Sequence, residues 1–474
     1  MIKNQKIYYY LIPCILLLQS CINLNQTVRE AHINVPEYYN QNQDTANVST
    51  IQWRNYFNDV YLQALIDTAL INNQELNIVL QEIEIRKNEI LSRTGEYQPS
   101  VRLGVGSGVE KTGVFTRNGA VEEQLTIKDG EAFPKLLSDF SLSATASWEV
   151  DIWHKLRDAK DASLQNYLAS IEGKNFLVTQ LVAEIAETYY ELIALDNYVK
   201  TINENVEIQR NALKSVKLQK ESAKATQLAV NRFEAQLLKT TNRQYSVKQK
   251  ITEKENLLNF LTGRFPMKIE RSSLFFEISI DSIRVGIPSQ LLSNRPDVKQ
   301  AELELMASKL DVSVAKANFY PSLNIRGNMG FNAFNPAFLL NPESIIYNAV
   351  GDLMAPLINR KGIEAAYLTA SSKQLQAVFN YEQTILNAFV DVQNQVAKIE
   401  NYSKSYDTKS GEVAILEQSV NIANNLFTSA RADYVEVLLT QEEVLEAKLE
   451  KIEAKSKLLE GKVNLYRSLG GGWK

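Results

Sequence analysis

The side chains that most often carry enzyme chemistry are scarce in this chain. Of its 474 residues, only two are histidine, His32 and His154, and only two are cysteine, Cys14 and Cys21. Neither histidine has a second histidine or a cysteine at metal-ligand spacing, and no Ser-His or Cys-His nucleophile pattern is present. The glycine-containing segment from Gly104 to Gly108 lies in a predicted strand and lacks the Lys-Ser/Thr pair of a phosphate loop. The sequence therefore predicts no catalytic residue, no metal site and no cofactor, and we do not expect an enzyme.

A cysteine near the amino terminus has a context that predicts a chemical modification. Leu18-Gln19-Ser20-Cys21 resembles a bacterial lipobox, in which the cysteine thiol is joined to diacylglycerol and the leader is then removed. The preceding residues 1–20 have the form of a leader, because two lysines precede an apolar run, Leu11 to Leu18, that is shorter than a membrane span. Gln19 is unusual in such a motif, and an ordinary signal peptide that contains a cysteine is the alternative.

We predict lipidation at Cys21, with a mature chain that begins there and contains no disulfide. Each buried methylene of an acyl chain contributes about 0.8 kcal/mol, so several chains would hold the protein firmly on a membrane.

Charge and composition exclude some partners and indicate long regular segments. The net charge is -4 and the pI is near 5.7, which provides no basic surface for nucleic acid. Only 19 glycines and 11 prolines occur, and they cluster around residues 95–150 and 263–362. Very long uninterrupted segments lie between these clusters.

The chain repeats itself with a period near two hundred residues. The segment from Asn72, "NNQELNIVLQEIEIRK", aligns with "NRPDVKQAELELMASK" from Asn294, and "LDNYVK" (195–200) aligns with "IENYSK" (399–404). In the same register Glu187 matches Asp391. Near the ends, "NLLNFLTGR" from residue 256 aligns with "NLYRSLGGG" from residue 464. This period is too long for a solenoid and indicates a duplicated domain-sized unit.

The long segments have the apolar period of coiled-coil helices. Steps of three and four residues connect a stripe that is apolar except at two positions. Its members are Val178, Leu181, Ile185, Thr188, Leu192, Leu195, Val199, Ile202, Val206, Gln209, Leu213 and Val216. A helix from about Leu156 to Glu221 would be roughly 100 Å long at 1.5 Å per residue. Tyr198 and Tyr402 lie in these helices, and we interpret them as packing residues.

Two segments in each half alternate with a period of two, which is typical of strands. Apolar residues alternate with polar residues or glycine from 101 to 109, from 140 to 152 and from 323 to 331, and a weaker strand spans about 345–357. Each strand has about ten residues, which is enough to cross a bilayer when tilted, although a half-buried soluble sheet would alternate in the same way. Aromatic residues predict the membrane interfaces: Tyr97, Trp148 and Phe319 at one level, Phe140 and Phe331 at the other.

Four antiparallel strands cannot close a barrel by themselves. Open sheet edges are not tolerated in lipid, because each unpaired amide group costs several kcal/mol. Closure then requires other copies: two copies supply eight strands, whose interior side chains fill, and three supply twelve, which leave a polar lumen. The polar inward faces favour three copies.

Four segments of this sequence resemble the TolC-type outer membrane efflux proteins, in particular their lipoprotein branch. They are 53–76, 287–305 with its Asn294-Arg295-Pro296-Asp297 motif, 434–450, and the terminal "NLYRSLGGGW". The resemblance implies a mainly α fold with a transmembrane β-barrel portion, built by a homotrimer as a 12-stranded barrel and a 12-helix periplasmic barrel. It also implies an outer-membrane location with a large periplasmic portion, and as partners outer-membrane lipid, a periplasmic adaptor and an inner-membrane RND-type transporter.

On this basis we expect a passive exit duct that releases small toxic compounds delivered by a pump. The alternatives are the outer-membrane duct of a type I protein secretion system and a lipid-anchored coiled-coil structural protein without a pore. The expected division is a lipoprotein signal peptide (1–20), a lipidated linker (21–58), a first repeat (59–263), an equatorial segment (264–293) and a second repeat (294–474).

The resemblance also implies a gate where the helix hairpins turn, near 221–227 and 429–436. Family members often have glycine and an aspartate ring at the second turn, whereas alanines occupy those places here, with Asp433 following. We expect Arg431 and Asp433 to contribute to the gate or to an adaptor contact; a solvated helix turn is the alternative. Lys220, Glu221 and Lys224 at the first turn are equally well explained as surface charges.

Overall fold

The computed structural model describes residues 29–39, 46–128, 130–278, 284–358, 360–429 and 431–473. The predicted leader and Cys21 lie outside the described residues. We label the main helices α1 (Val60–Asn72), α2 (Gln74–Tyr97), α3 (Lys155–Glu221), α4 (Gln227–Leu261), α5 (Pro296–Ala317), α6 (Lys361–Thr428) and α7 (Tyr434–Ser468), and the main strands β1 (Ser100–Glu110), β2 (Leu137–Val150), β3 (Ser322–Ala333) and β4 (Ile345–Met354). Short helices span Trp53–Tyr56, Arg117–Glu122 and Gln290–Asn294, and a small ribbon pairs Thr126–Lys128 with Glu131–Ala132.

The two longest helices confirm the prediction of helices much longer than a globular core requires. α3 has 67 residues and α6 has 68. Ten of the twelve stripe positions are buried, and Val178 and Val199 are partly buried. The 3.5-residue period therefore identified the packed face of α3, including its polar members Thr188 and Gln209.

The four strands form one antiparallel sheet in the order β1-β2-β3-β4. The predicted second strand ends at Val150, two residues early, because Asp151 turns to cap α3 by accepting from the backbone N–H groups of Leu156 and Arg157, each at 3.0 Å. The predicted fourth strand ends at Met354, before Pro356, which cannot donate to a ladder.

The helices continue the order of the strands. Nearest the sheet, α2 packs on α3, α3 on α5, and α5 on α6; farther away, α4 packs on α3, α3 on α7, and α7 on α6. The main helices and strands therefore lie side by side as a wall, and α6 forms one of its side edges. None of the helices in the described ranges combines the length and the apolar composition needed to span a lipid bilayer.

The duplication is visible in two matching helix ends. Gly263 follows α4 and has φ +67°, and a Cβ added there would lie 2.3 Å from the carbonyl oxygen of Asn72. Gly470 follows α7 and has φ +87°, and a Cβ added there would lie 2.4 Å from the carbonyl oxygen of Asn294. The next residue donates to a helix-end carbonyl in both halves, Asn73 to that of Leu261 and Arg295 to that of Ser468, each at 2.9 Å. The sequence register, which places Gly263 on Gly471, is therefore wrong by one residue at this end.

The main hydrophobic core lies at the level where both halves meet. It is rich in aromatic residues: Tyr39, Trp53, Tyr56, Phe57, Tyr189, Tyr190, Phe275, Tyr381 and Tyr466. The amino-terminal segment 29–39 joins this core along α6: Arg29 pairs with Glu382 at 3.1 Å, and the ring of Tyr39 stacks on that of Phe389 at 5.4 Å.

Candidate conduction path

The two faces of the sheet differ in polarity along aligned rows of residues. One row is apolar and crosses all four strands, from Leu103 through Ala144 and Met329 to Tyr347. The adjacent row faces the other way and is polar, with Arg102, Thr145, Asn328 and Asn348. Since neighbouring rows point to opposite faces, the sheet presents one apolar and one polar wall.

Charged groups concentrate at the end of the polar face that leads into the helices. Glu149, Asn324 and Asp352 share one row, and Arg326 lies two rows away on the same face. Arg326 approaches Asp352 at 3.6 Å, and Lys155 at the start of α3 pairs with Glu149. This end of the polar wall therefore carries both signs of charge in partnered form.

One of the three aromatic residues predicted at the membrane interface nearest the helices is buried in the structure. Trp148 donates through Nε1 to the carbonyl oxygen of Tyr97 at 3.1 Å, so these two residues lie at one level. Phe319, in contrast, is 8 % exposed and packs on Tyr367, because it lies on the inner side of the turn after α5. Its neighbour Tyr320 is exposed instead and stacks on Trp153 at 4.7 Å, a pair that the sequence analysis missed.

At the opposite end of the wall, the first hairpin turns in a short left-handed connection. α3 ends at Glu221 and α4 begins at Gln227, as the sequence predicts. Ala223 has φ +57°, and the Thr226 hydroxyl caps α4 by accepting from the backbone N–H of Ala229 at 3.2 Å. Lys220 bonds to the side chain of Gln227, whereas the exposed side chain of Lys224 has no hydrogen bond or ion pair with any residue that the structure describes.

The second hairpin turns between Thr428 and Tyr434 and carries the two predicted tip residues. Arg431 and Asp433 are both exposed. Asp433 is the residue before α7 but does not cap it with its side chain. Within the described ranges, neither side chain has a hydrogen-bond or ion-pair partner, so both charges are available at the tip.

The two hairpins pack together behind their turns. A small apolar cluster joins Val216 and Phe233 of the first hairpin to Phe427 and Tyr434 of the second. Farther along the same helices, Lys239 of α4 pairs with Glu442 of α7, and Arg243 pairs with Glu446, each at 2.5 Å. We missed these two ion pairs, although four-residue spacing on both helices was a usable signal, since it places like charges on one face.

An arginine joins the segment that follows α4 to two of the helices. Arg271 contacts Asp196 of α3 at 2.5 and 2.9 Å and also bonds Glu255 of α4. Burial disfavours the charge of Arg271, but these two carboxylates outweigh burial and raise its pKa. No group of three or more His, Cys, Asp or Glu side chains in the ranges described is placed to hold a metal ion.

A sheet with one polar and one apolar wall, continued by helices of about 100 Å, defines the class of outer-membrane channel subunits. A family model described as "Outer membrane efflux protein" matches residues 65–264 and 287–471. The chain belongs to this family, which consists of outer-membrane channels rather than enzymes.

The similarity to known proteins covers almost the full length of the chain. The chain is 24 % identical over 469 residues to the cation efflux system protein CusC of Escherichia coli, covering 97 % of this chain and 98 % of CusC. It is also 24 % identical over 469 residues to the probable outer membrane lipoprotein SilC of Salmonella typhimurium, covering 98 % of each. Among solved structures, the open state of the Neisseria gonorrhoeae MtrE outer membrane channel has a TM-score of 0.83 at 20 % identity, covering 96 % of this chain and 99 % of MtrE.

Proposed function

We propose that this protein is the exit duct of a tripartite efflux pump: a lipid-anchored homotrimer that passes small toxic compounds from a periplasmic adaptor and an inner-membrane RND-type transporter to the outside. The observation that carries the proposal is the pair of open edges on an otherwise amphipathic wall. Within the described part of the chain, β1 and β4 each pair on one side only. An open strand edge is not stable in lipid, so the edges require partners.

The helices at these edges carry matching apolar stripes. Ile78 and Ile85 lie seven residues apart on α2, and Phe379 and Leu386 lie seven apart on α6, the helix at the opposite edge. All four side chains are more than half exposed. A seven-residue apolar spacing is the pattern by which helices pack on a neighbouring helix.

The same relation recurs farther from the sheet. There, Leu238 and Tyr245 on α4 and Ile415 and Ile422 on α6 are again spaced by seven and more than half exposed. Each edge therefore fits the opposite edge of another copy, and head-to-tail contacts of this kind generate a ring. Three copies supply twelve strands, with the polar wall around the lumen.

The amino-terminal segment supports anchoring through Cys21. Gln374 of α6 donates to the carbonyl oxygen of Arg29 at 3.0 Å. At 1.5 Å per residue, Gln374 lies about 20 Å along the helix from the start of α6. The eight residue-to-residue steps from Cys21 to Arg29 can span at most roughly 27 Å, which is enough to reach the membrane end of the wall. Acyl labelling should be lost in Cys21→Ala, and label that persists would contradict the lipoprotein assignment.

Arg431 and Asp433 are proposed to contribute to the gate or to adaptor docking, because both charges are exposed at the tip. Arg431→Ala and Asp433→Ala should lower compound resistance in cells while the trimer still forms. Lys224→Ala, at the other turn, is the matched control and should leave resistance unchanged. Normal resistance in both tip variants would refute the role.

The duct itself is tested with the purified, detergent-extracted protein. A trimer mass together with ion conductance in a planar bilayer supports the proposal, and a non-conducting rod would instead support the structural alternative. Sensitivity of a deletion strain to toxic compounds, with normal protein secretion, distinguishes efflux from type I secretion. The name of CusC refers to cations, but at 24 % identity that cargo does not transfer, and we propose small toxic compounds as the class.

The proposed organisation keeps 1–20 as the leader, 21–58 as the linker, 59–263 and 294–474 as the two repeats, and 264–293 as the equatorial segment. The match of Gly263 with Gly470 supports this division, because both glycines close a hairpin in the same way.

A further inference from the structure

One carboxyl group lies between the two halves without the arginine partner that its counterpart has. Glu187 of α3 accepts a hydrogen bond from Nδ2 of Asn464 on α7, across the seam where the two repeats meet. Its counterpart in the other repeat, Asp391, lies 3.5 Å from the guanidinium of Arg295. At the position that matches Arg295, the first repeat has Asn73, which is uncharged.

The hydrogen bonding of the α3–α7 seam is incomplete when Glu187 is ionised. Asn464 is 6 % exposed, and its Oδ1 is buried without a hydrogen-bond donor among the residues that the structure describes. A buried acceptor without a partner costs about 1–3 kcal/mol. An ionised carboxylate cannot supply the missing donor, because it only accepts.

The surroundings of Glu187 favour its neutral form. It borders a cavity of about 550 Å³ that lies among α3, α4 and α7. Burial and the nearby charge of Glu460 raise the pKa of Glu187 to about 7, against the opposing effects of Arg467 and Lys398.

Each helix around this carboxyl presents charged groups, and most of them are already paired. α3 presents Glu184 and Glu191, α4 presents Lys250 and Lys254, α6 presents Lys398, and α7 presents Glu453, Lys457, Glu460 and Arg467. Lys254 pairs with Glu191 at 2.6 Å, and Lys398 and Lys457 both pair with Glu460 at 2.8 Å.

We propose that Glu187 and Asn464 form a proton-dependent lock on the α3–α7 seam, closed when Glu187 is protonated and weakened when it is ionised. In the protonated state, the Glu187 hydroxyl donates to Oδ1 of Asn464 while the other carboxyl oxygen accepts from Nδ2. The two side chains then make a cyclic pair, and the repulsion from Glu460 is removed. The seam joins the hairpins of the two halves, so its stability sets how readily the hairpins separate.

The sign follows from proton linkage. The closed seam binds the proton more tightly than an exposed glutamate does, so low pH stabilises it and the stabilisation is lost as pH rises through about 7. For pKa values near 7 when closed and 4.5 when exposed, the closing equilibrium falls about tenfold from pH 6 to pH 8.

Hydrogen exchange of the full-length protein in detergent, measured by mass spectrometry, tests the lock. Protection factors, corrected for the intrinsic effect of pH on exchange, should be about tenfold higher at pH 6 than at pH 8 in peptides that cover 180–195 and 458–468. Glu187→Gln, whose amide makes the same cyclic pair, should remain protected at both pH values. Glu204→Gln, at an exposed position 17 residues and therefore about 25 Å farther along α3, should keep the dependence of the wild-type protein.

Glu460→Gln provides a second variant that leaves Glu187 intact. It removes the nearby negative charge, so the midpoint of the protection change should move to lower pH. Flat protection in the wild-type protein, an unchanged pH dependence in Glu187→Gln, or an unmoved midpoint in Glu460→Gln would each overturn the lock. None of these outcomes depends on whether the protein conducts.

Discussion

Gly263 and Gly470 lie at the two places where a hairpin ends against the start of another helix. Both have positive φ, which costs a residue with a Cβ about 1–2 kcal/mol. In addition, the new Cβ would overlap the carbonyl oxygen of Asn72 or Asn294. Backbone atoms cannot move aside without shifting the start of a helix.

We therefore expect Gly263→Ala and Gly470→Ala each to destabilise the protein by about 2 kcal/mol or more, seen as a lower midpoint of thermal unfolding. Gly411→Ala is the matched control, because Gly411 lies within α6 and no atom of the described residues lies within 4 Å of the added Cβ. This control should stabilise by about 0.5–1 kcal/mol. Equal effects at 263, 470 and 411 would contradict the proposed role of the two helix ends.

α3 begins with a cap that is supplied from outside the helix. Asp151 is 7 % exposed and accepts from two backbone N–H groups of the first turn and from Nε of Arg157 at 3.2 Å. The residue that formally precedes the helix, His154, has φ +61° and makes no side-chain cap. The carboxylate thus joins the strand end to the helix start and fixes the direction in which α3 leaves the sheet.

Asp151→Ala should leave these N–H groups and Nε of Arg157 without the carboxylate that accepts from them, at a cost of about 1–2 kcal/mol. Hydrogen exchange should be faster in the first turns of α3. Asp161→Ala, an exposed position nearby on the same helix, should not change the exchange. If hydrogen exchange in the first turn stays slow in Asp151→Ala, the cap does not stabilise the start of the helix.

The lengths of the helices and the faces of the strands were predictable because they depend on local periodicity. The stripe from Leu181 to Val216 and the alternation in β2 are written in consecutive residues, so no distant contact was needed to read them. Strand ends were less accurate, since the capping role of Asp151 competes with the ladder.

Contacts between the two halves were not predictable in the same way. The pairing of Glu187 with Asn464 joins residues far apart in sequence, on opposite sides of a seam. The duplication itself was readable, yet its register at the last helix end was wrong by one residue. Backbone conformation at Gly470, which sets that register, leaves no periodic signal.

The last prediction concerns how the copies close into a ring. Every copy has two unlike edges, one formed by α2 and α4 and the other by α6. Ile422→Asp on α6 or Leu238→Asp on α4 would place a charge in an apolar contact between copies, where an unpaired charge is strongly unfavourable. Each change should remove the trimer in detergent, as measured by mass, and abolish conductance. The isolated chain should keep the hydrogen-exchange protection of α3, since neither residue packs inside the copy.

Leu340→Asp is the control for this experiment, because Leu340 is equally exposed but lies in the loop between β3 and β4. It should leave the trimer intact. Since the contact is head-to-tail, mixing the two edge variants provides a further test: each retains one sound edge, so the mixture should form dimers through these edges but no closed ring. A trimer that persists in both single variants would show that the copies close along other surfaces.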